Sequence, residues 1–130
     1  MKAMSGGCYC GAIKFMVTAP SLWCAHCHCS ICQRIHGSGL VTWIGFSADG
    51  VKIIDAGNEL DWYESTAGAE RGHCRRCHSA LFFRSADWPG ELHVTLASFE
   101  SPVDREPAAH VFYATHVDWL QLADELPRKE

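Results

Sequence analysis

From Ala12 to Val17 the chain alternates, placing Ile13, Phe15 and Val17 on one face and Lys14 and Met16 on the other, the period of a half-buried strand. Ala19-Pro20-Ser21 turns the chain, and Leu22 to His26 predicts a second strand. Short β runs then recur between turn residues: Leu40 to Phe46, Val51 to Ala56 after Asp49-Gly50, Leu60 to Ser65, Ala80 to Phe83 and, past Pro89-Gly90, Leu92 to Ala97. A Pro-containing connection, Ser101 to Pro107, leads to a last run, His110 to Ala114. Helical signals are few: Ser30 is placed to cap a short helix that Gly37 ends, and Trp119 to Leu126 predicts another. The expected fold class is mainly β, antiparallel sheets with short helical turns. No repeat, linker or low-complexity segment interrupts it, so residues 1–130 form one expected domain.

Composition narrows the setting. The chain is 48% hydrophobic and 20% charged with a net charge of −4, so nothing draws a polyanion, and a nucleic-acid partner is not expected. Arg71, Arg75, Arg76 and Arg84 gather around a late cysteine pair, where they are expected to form a solvated face or a counter-charge for thiolates. The longest mostly apolar run, Leu40 to Phe46, falls far short of the roughly 18 residues of a membrane span. MKAMSGGCYC at the N-terminus has no apolar core followed by a small-residue cleavage site. A cytoplasmic protein with reduced thiols is therefore expected, with no membrane partner.

The cysteines change the picture most. They stand at positions 8, 10, 24, 27, 29, 32, 74 and 77. Four disulfides would leave about 105 pairings, but the Cys-x-Cys and Cys-x-x-Cys spacings suit thiolate ligands of zinc better. In extended backbone Cys8 and Cys10 share a side, as do Cys27 and Cys29, and a tight turn does the same for Cys74 and Cys77. The pairs Cys8/Cys10 and Cys74/Cys77 supply the four thiolates of a closed structural zinc site. Cys27, Cys29 and Cys32 supply three ligands, the number that leaves a coordination position open for substrate. Two zinc ions per chain are expected. Cys24 either completes the second site or, facing away from Cys27 along a strand, packs in the core. His26, His28 and His36 are each a ligand, a group supporting the ligands or a neutral bystander, His28 being the best placed.

The segments Gly7-Cys8-Tyr9-Cys10-Gly11, Cys27-His28-Cys29-Ser30-Ile31-Cys32-Gln33-Arg34 and Cys74-Arg75-Arg76-Cys77 resemble, in order and spacing, the glutathione-dependent formaldehyde-activating enzyme family. The stretch from Ser101-Pro102 to Leu126-Pro127 resembles that family's tail, so the likeness spans nearly the whole chain. The resemblance implies a tent-like zinc-binding β fold, shared with centromere protein V and the B-type methionine sulfoxide reductases. It implies structural zinc at Cys8, Cys10, Cys74 and Cys77 and catalytic zinc at Cys27, Cys29 and Cys32. One departure is His78, where the family usually has glycine. The implied activity is that of a carbon–sulfur lyase, condensing glutathione or a similar thiol with formaldehyde or a related small electrophile to give S-hydroxymethylglutathione. Three thiolates plus a substrate thiolate exceed the charge of the ion, and Arg34 and a protonated His28 are the expected compensators. The alternative is a non-catalytic binding module with both metal sites structural. A sulfoxide-type reductase would need a free nucleophilic cysteine, and only Cys24 is left unassigned.

Overall fold

The computed structural model describes residues 3–130. In chain order the elements are β1 (Met4–Gly7), β2 (Lys14–Val17), β3 (Trp23–Cys27), α1 (Ser30–His36), β4 (Val41–Ser47), β5 (Val51–Ile54), β6 (Leu60–Thr66), β7 (Ala69–Cys74), β8 (Ala80–Ser85), β9 (Glu91–Thr95) and β10 (His110–Val111), with three short 3-10 turns. A three-stranded sheet has the order β1-β2-β5, and a seven-stranded sheet the order β10-β3-β4-β9-β8-β7-β6. The fold is mainly β, as the alternation predicts. All pairings are antiparallel except β10 with β3, where His110 lies beside His26 and Val111 beside Cys27. No helix is long and apolar enough to cross a membrane.

Period-two alternation divides the large sheet into two faces. Cys24, Ile44, Phe46, Phe82, Leu92 and Val94 point to one side and meet Ile13, Phe15 and Val17 of the small sheet in the main core. Phe15 stands edge-on to Phe82 at 5.7 Å and to Phe99 at 4.9 Å, and each such fully buried phenylalanine contributes about 1.5–3 kcal/mol by leaving water. Trp23, Cys27, Trp43 and Phe83 point to the opposite side and form a second cluster with Cys32, Val41 and Val111. Cys24 is thus on the core face of β3 and Cys27 on the other. Gly45 lets Trp23 lie directly over β4, since a Cβ there would strike the indole.

Several details differ from the sequence expectation. Ser30 is the first residue of α1 rather than its cap. Cys29 holds the capping position without a side-chain hydrogen bond, while Gly37 closes the helix in the left-handed region at φ 62° and donates its N–H to Gln33. Residues 119–126 form no helix. The tail is tied to β10 instead: His110 N–H bonds the Pro127 carbonyl at 2.8 Å, Lys129 N–H bonds the His110 carbonyl at 2.7 Å and Tyr113 N–H bonds the Lys129 carbonyl at 2.8 Å. Within the stretch itself Leu126 N–H bonds the Asp124 carboxylate at 3.0 Å instead of a carbonyl one turn back, and that carboxylate is held in turn by His110. Strands β1 and β7 carried no sequence signal. Met-Ser-Gly-Gly and Ala-Glu-Arg-Gly-His-Cys lack alternation, and β7 is held by neighbours on both sides, β6 and β8.

Candidate functional site

Two cysteine centres occupy different parts of this frame. Cys8, Cys10, Cys74 and Cys77 converge, their sulfurs all within 4.8 Å of one another, a cluster able to hold a metal ion and the one such group among the described residues. The Cys8 and Cys10 sulfurs are 3.6 Å apart, and those of Cys10 and Cys74 are 3.8 Å apart. The grip comes from turns rather than from strand parity as the spacing suggested: both cysteines of the first pair lie beyond β1, in a turn where Gly11 N–H bonds the Cys8 carbonyl and Gly11 takes φ 82°. Cys74 ends β7, and the turn after it brings Cys77 back. Ser79 joins the two turns, accepting a hydrogen bond from Tyr9 N–H at 2.9 Å and lying 3.2 Å from Cys77 Sγ. Ile13 N–H points at Cys8 Sγ from 3.3 Å, a donor suited to a thiolate.

The turn after Cys74 depends on His78. Its N–H bonds the Cys74 carbonyl at 2.8 Å while its backbone sits at φ 65°. Glycine takes that conformation without steric cost, which accounts for glycine at this position in the pattern that the sequence resembles. Histidine accepts it here at the price of strain.

The other centre lies on the far face of the large sheet. Strand β3 ends at Cys27, Cys29 precedes α1 and Cys32 sits in its first turn, so a strand end and a helix start present the three thiols. Cys29 lies two residues past the end of β3 with its own backbone still extended, at φ −61° and ψ 133°. The Cys27 thiol faces Cys32 Sγ at 3.7 Å, while Cys29 lines the same cavity without completing a tight three-ligand cluster. A hydrogen bond from Cys27, and then the Arg71 guanidinium, bring the Cys32 thiol down to about 6 against the opposing effect of burial. Cys27 moves the other way, raised by giving its proton toward Cys32 and by burial. Arg71 Nη1 donates to Cys32 Sγ at 3.3 Å, Nε donates to Ser65 Oγ at 3.0 Å, and the guanidinium rests on the Phe83 ring 4.9 Å from its centroid.

Arg71 corrects two expectations. It leaves the late cysteine pair and serves the thiol cluster, whereas Arg34 is exposed on α1. The signal was available in principle, because Ala69 and Arg71 share a buried face of β7, but β7 was not recognised. Of the other arginines, Arg84 bonds Glu70 at 3.1 Å and stacks on Trp62, away from both centres.

His28 is not a protonated compensator. Burial, then the neighbouring His110, lower its pKa to about 4, and it is neutral at neutral pH. Its Nε2 lies 2.8 Å from His110 Nδ1, and His110 Nε2 lies 3.0 Å from both oxygens of Asp124. The carboxylate can only accept, so His110 Nε2 is the donor to Asp124. His28 Nδ1 is buried without a hydrogen-bond partner. His26 Nδ1 meets Thr42 Oγ1 at 2.7 Å, and His36 stands edge-on to Trp43 at 5.4 Å. Cys24 is buried in the main core, where burial raises its thiol to about 11.

Above the thiols opens a cavity of about 400 Å³. Trp23, Trp43, Phe83, Trp88, Val111 and Phe112 form much of its wall, and Arg71, Asp87 and His93 are the charged or titratable residues of the lining. Glu91 Oε1 accepts from Trp23 Nε1 at 3.0 Å and from His93 Nε2 at 2.9 Å, fixing both rings. Sequence reasoning identified neither the aromatic wall nor the His93–Glu91 pair.

The family model for glutathione-dependent formaldehyde-activating enzyme matches residues 3–115. The chain belongs to this family. A Halomonas elongata protein, provisionally named as a glutathione-dependent formaldehyde-activating enzyme, is 31% identical over 92% of the chain and 80% of its own length. An uncharacterised lyase of Schizosaccharomyces pombe is 33% identical over 64% of the chain and 58% of that protein. A crystal structure of a Rhodobacter sphaeroides protein shares the fold, with a TM-score of 0.62 at 22% identity, covering 78% of this chain and 92% of that one. Within the glutathione-dependent formaldehyde-activating enzyme family, both cysteine centres of this chain fall inside the matched span.

Proposed function

We propose that this protein is a zinc-dependent carbon–sulfur lyase that joins glutathione, or a similar thiol, to formaldehyde, giving S-hydroxymethylglutathione. Cys8, Cys10, Cys74 and Cys77 would hold a structural zinc, and Cys27, Cys29 and Cys32 a catalytic one. The donor sets fit in kind: four converging thiols in one case, and three in the other with Cys27 and Cys32 already paired. A zinc ion at the second centre supplies Lewis acidity and lowers the pKa of a thiol bound to it.

The observation that carries the reading is the Arg71–Cys32–Cys27 cluster at the cavity. Arg71 holds negative charge on sulfur, and the apolar wall keeps water away so that this charge is felt strongly. The cavity brings thiol and aldehyde together, replacing a chance encounter with an oriented one. In the reaction a sulfur–carbon bond forms, the carbonyl π bond opens, and the proton lost by the thiol ends on the former carbonyl oxygen. The closed-module alternative asked Cys24 to complete the second centre, whereas Cys24 packs on the opposite face of β3. Exchange NMR on glutathione and formaldehyde, with and without the protein, tests the activity: exchange should quicken in proportion to protein concentration, and an unchanged rate refutes it.

A further inference from the structure

The solvent side of an antiparallel sheet is ordinarily polar, because its alternate residues face water. Here that side carries Trp23, Trp43 and Phe83, and the loops over it add Trp88 and Phe112. Trp43 is 5% exposed although it lines an open cavity. A cavity of about 400 Å³ lies within the range of small-molecule sites, about 300–1,000 Å³. Formaldehyde, with one carbon, cannot touch more than a fraction of such a wall.

The charges oppose the other named substrate. Glutathione brings two carboxylates and an ammonium group, and each needs a partner when taken from water. Among the described residues lining the cavity the one permanent cation is Arg71, already engaged by Cys32, Ser65 and the Phe83 ring. Asp87 adds a negative charge. His93 is no cation either: its Nε2 proton is given to Glu91, and burial among Trp23, Phe83 and Trp88 disfavours a second proton.

We propose that the cavity receives the uncharged hydrocarbon part of an aldehyde larger than formaldehyde, aromatic in preference, while the charged backbone of the thiol stays outside. This rests on the thiol-addition reading above and specifies its electrophile. Ring faces of Trp43, Phe83 and Trp88 supply offset or edge-on contacts for an aryl group, and the carbonyl end reaches the thiol cluster. The bond changes are unchanged: sulfur bonds the aldehyde carbon, the π bond opens and the proton of the thiol moves to oxygen.

Two measurements on the 130-residue chain test it. The first compares exchange rates for glutathione with formaldehyde and with benzaldehyde, each divided by its uncatalysed rate. Acceleration should be at least about tenfold greater with benzaldehyde, the scale on which an apolar pocket discriminates. Acceleration equal or greater with formaldehyde overturns this proposal and leaves the thiol-addition reading intact. The second follows tryptophan fluorescence on titration with benzyl alcohol, which fits the wall but cannot add a thiol. A saturable change is expected, weakened at least about fivefold by Ser85→Phe on the half-buried wall and by Ala69→Phe deeper in. Saturable binding with neither aldehyde accelerated defeats the reaction while supporting the ligand class. No saturable change, or one untouched by Ser85→Phe in a folded variant, overturns the ligand class.

Discussion

The two cysteine centres use the same atom for opposite ends. At Cys8, Cys10, Cys74 and Cys77 four sulfurs converge from two turns that Ser79 holds together, and little room remains for anything except a cation. At Cys27, Cys29 and Cys32 only two sulfurs meet, a guanidinium leans on one of them, and the rest of the surroundings is an aromatic cavity. A thiol set becomes structural when the protein completes it, and it becomes available for chemistry when the protein completes everything around it instead. The first centre ties β1 to the end of β7, segments that otherwise share little. The second hangs on an already formed sheet.

The largest contrast follows from that placement. On the reading proposed above, Cys74→Ser should abolish metal binding at the four-cysteine cluster and cost about 3 kcal/mol or more of stability, because metal binding at a site absent from the unfolded chain is folding free energy. Cys29→Ser, at a half-exposed position off the strands, should cost under about 1.5 kcal/mol while abolishing thiol exchange. Thermal unfolding with metal analysis reads both. Equal destabilisation by the two substitutions would dissolve the distinction between a staple and a working site.

Next in size is Arg71→Met. The thioether chain can still lie on Phe83, so packing is largely kept while the charge on Cys32 loses its partner. We expect exchange activity to fall about tenfold to a hundredfold, near 1.4–2.8 kcal/mol of lost stabilisation, and Cys32 to titrate higher in the metal-free protein. Thiol alkylation rates against pH give the second quantity. If activity falls with no change in the Cys32 titration, Arg71 acts on substrate rather than on the thiol.

The contrast also explains what could be read from sequence. Alternation at Ile13, Phe15 and Val17 marks a face because those side chains are buried on one side only, and Leu92 and Val94 alternate likewise toward the core, whereas Leu40–Phe46 is a continuous apolar run buried on both faces. Cysteine spacing identified the four residues that now converge, although turns rather than strand parity bring them together. The cavity was much harder to see. Trp23, Trp43 and Phe83 belong to strands whose both faces are apolar, so periodicity cannot say which aromatic lines a cavity and which fills the core. Arg71 was misplaced because β7, with its charged residues and Gly72, has no apolar period and exists through its neighbours. Trp119 to Leu126, expected to be a helix, is irregular, and the residues just after it, Pro127 and Lys129, bond β10.

A smaller effect should come from the closed centre's own strain. His78→Gly replaces a residue at φ 65° with one that occupies the left-handed region freely, and the His78 ring is exposed, so little packing is lost. The folded state should gain about 1 kcal/mol from relief of strain, offset in part by the greater freedom of glycine in the unfolded chain. A rise in Tm of a few degrees, with metal content and exchange activity unchanged, is the expected result. A fall in Tm would mean that the ring makes a stabilising contribution in the turn.

Smallest of all is Arg34→Met. Arg34 lies two residues from Cys32 in sequence and was the arginine expected to compensate the thiolates, yet it is exposed on α1 while Arg71 reaches the sulfur from β7. An exposed cation is screened by water and salt, and removing it ordinarily changes stability by less than about 0.5 kcal/mol. Exchange activity should therefore stay within about twofold of the parent protein, a change of about 0.4 kcal/mol, against the tenfold or greater loss in Arg71→Met. Measured side by side at low and at moderate salt, the two variants separate proximity in sequence from proximity in space. A large, salt-dependent loss in Arg34→Met would place a charged part of the substrate over α1, outside the cavity, where the thiol's carboxylates are expected to remain.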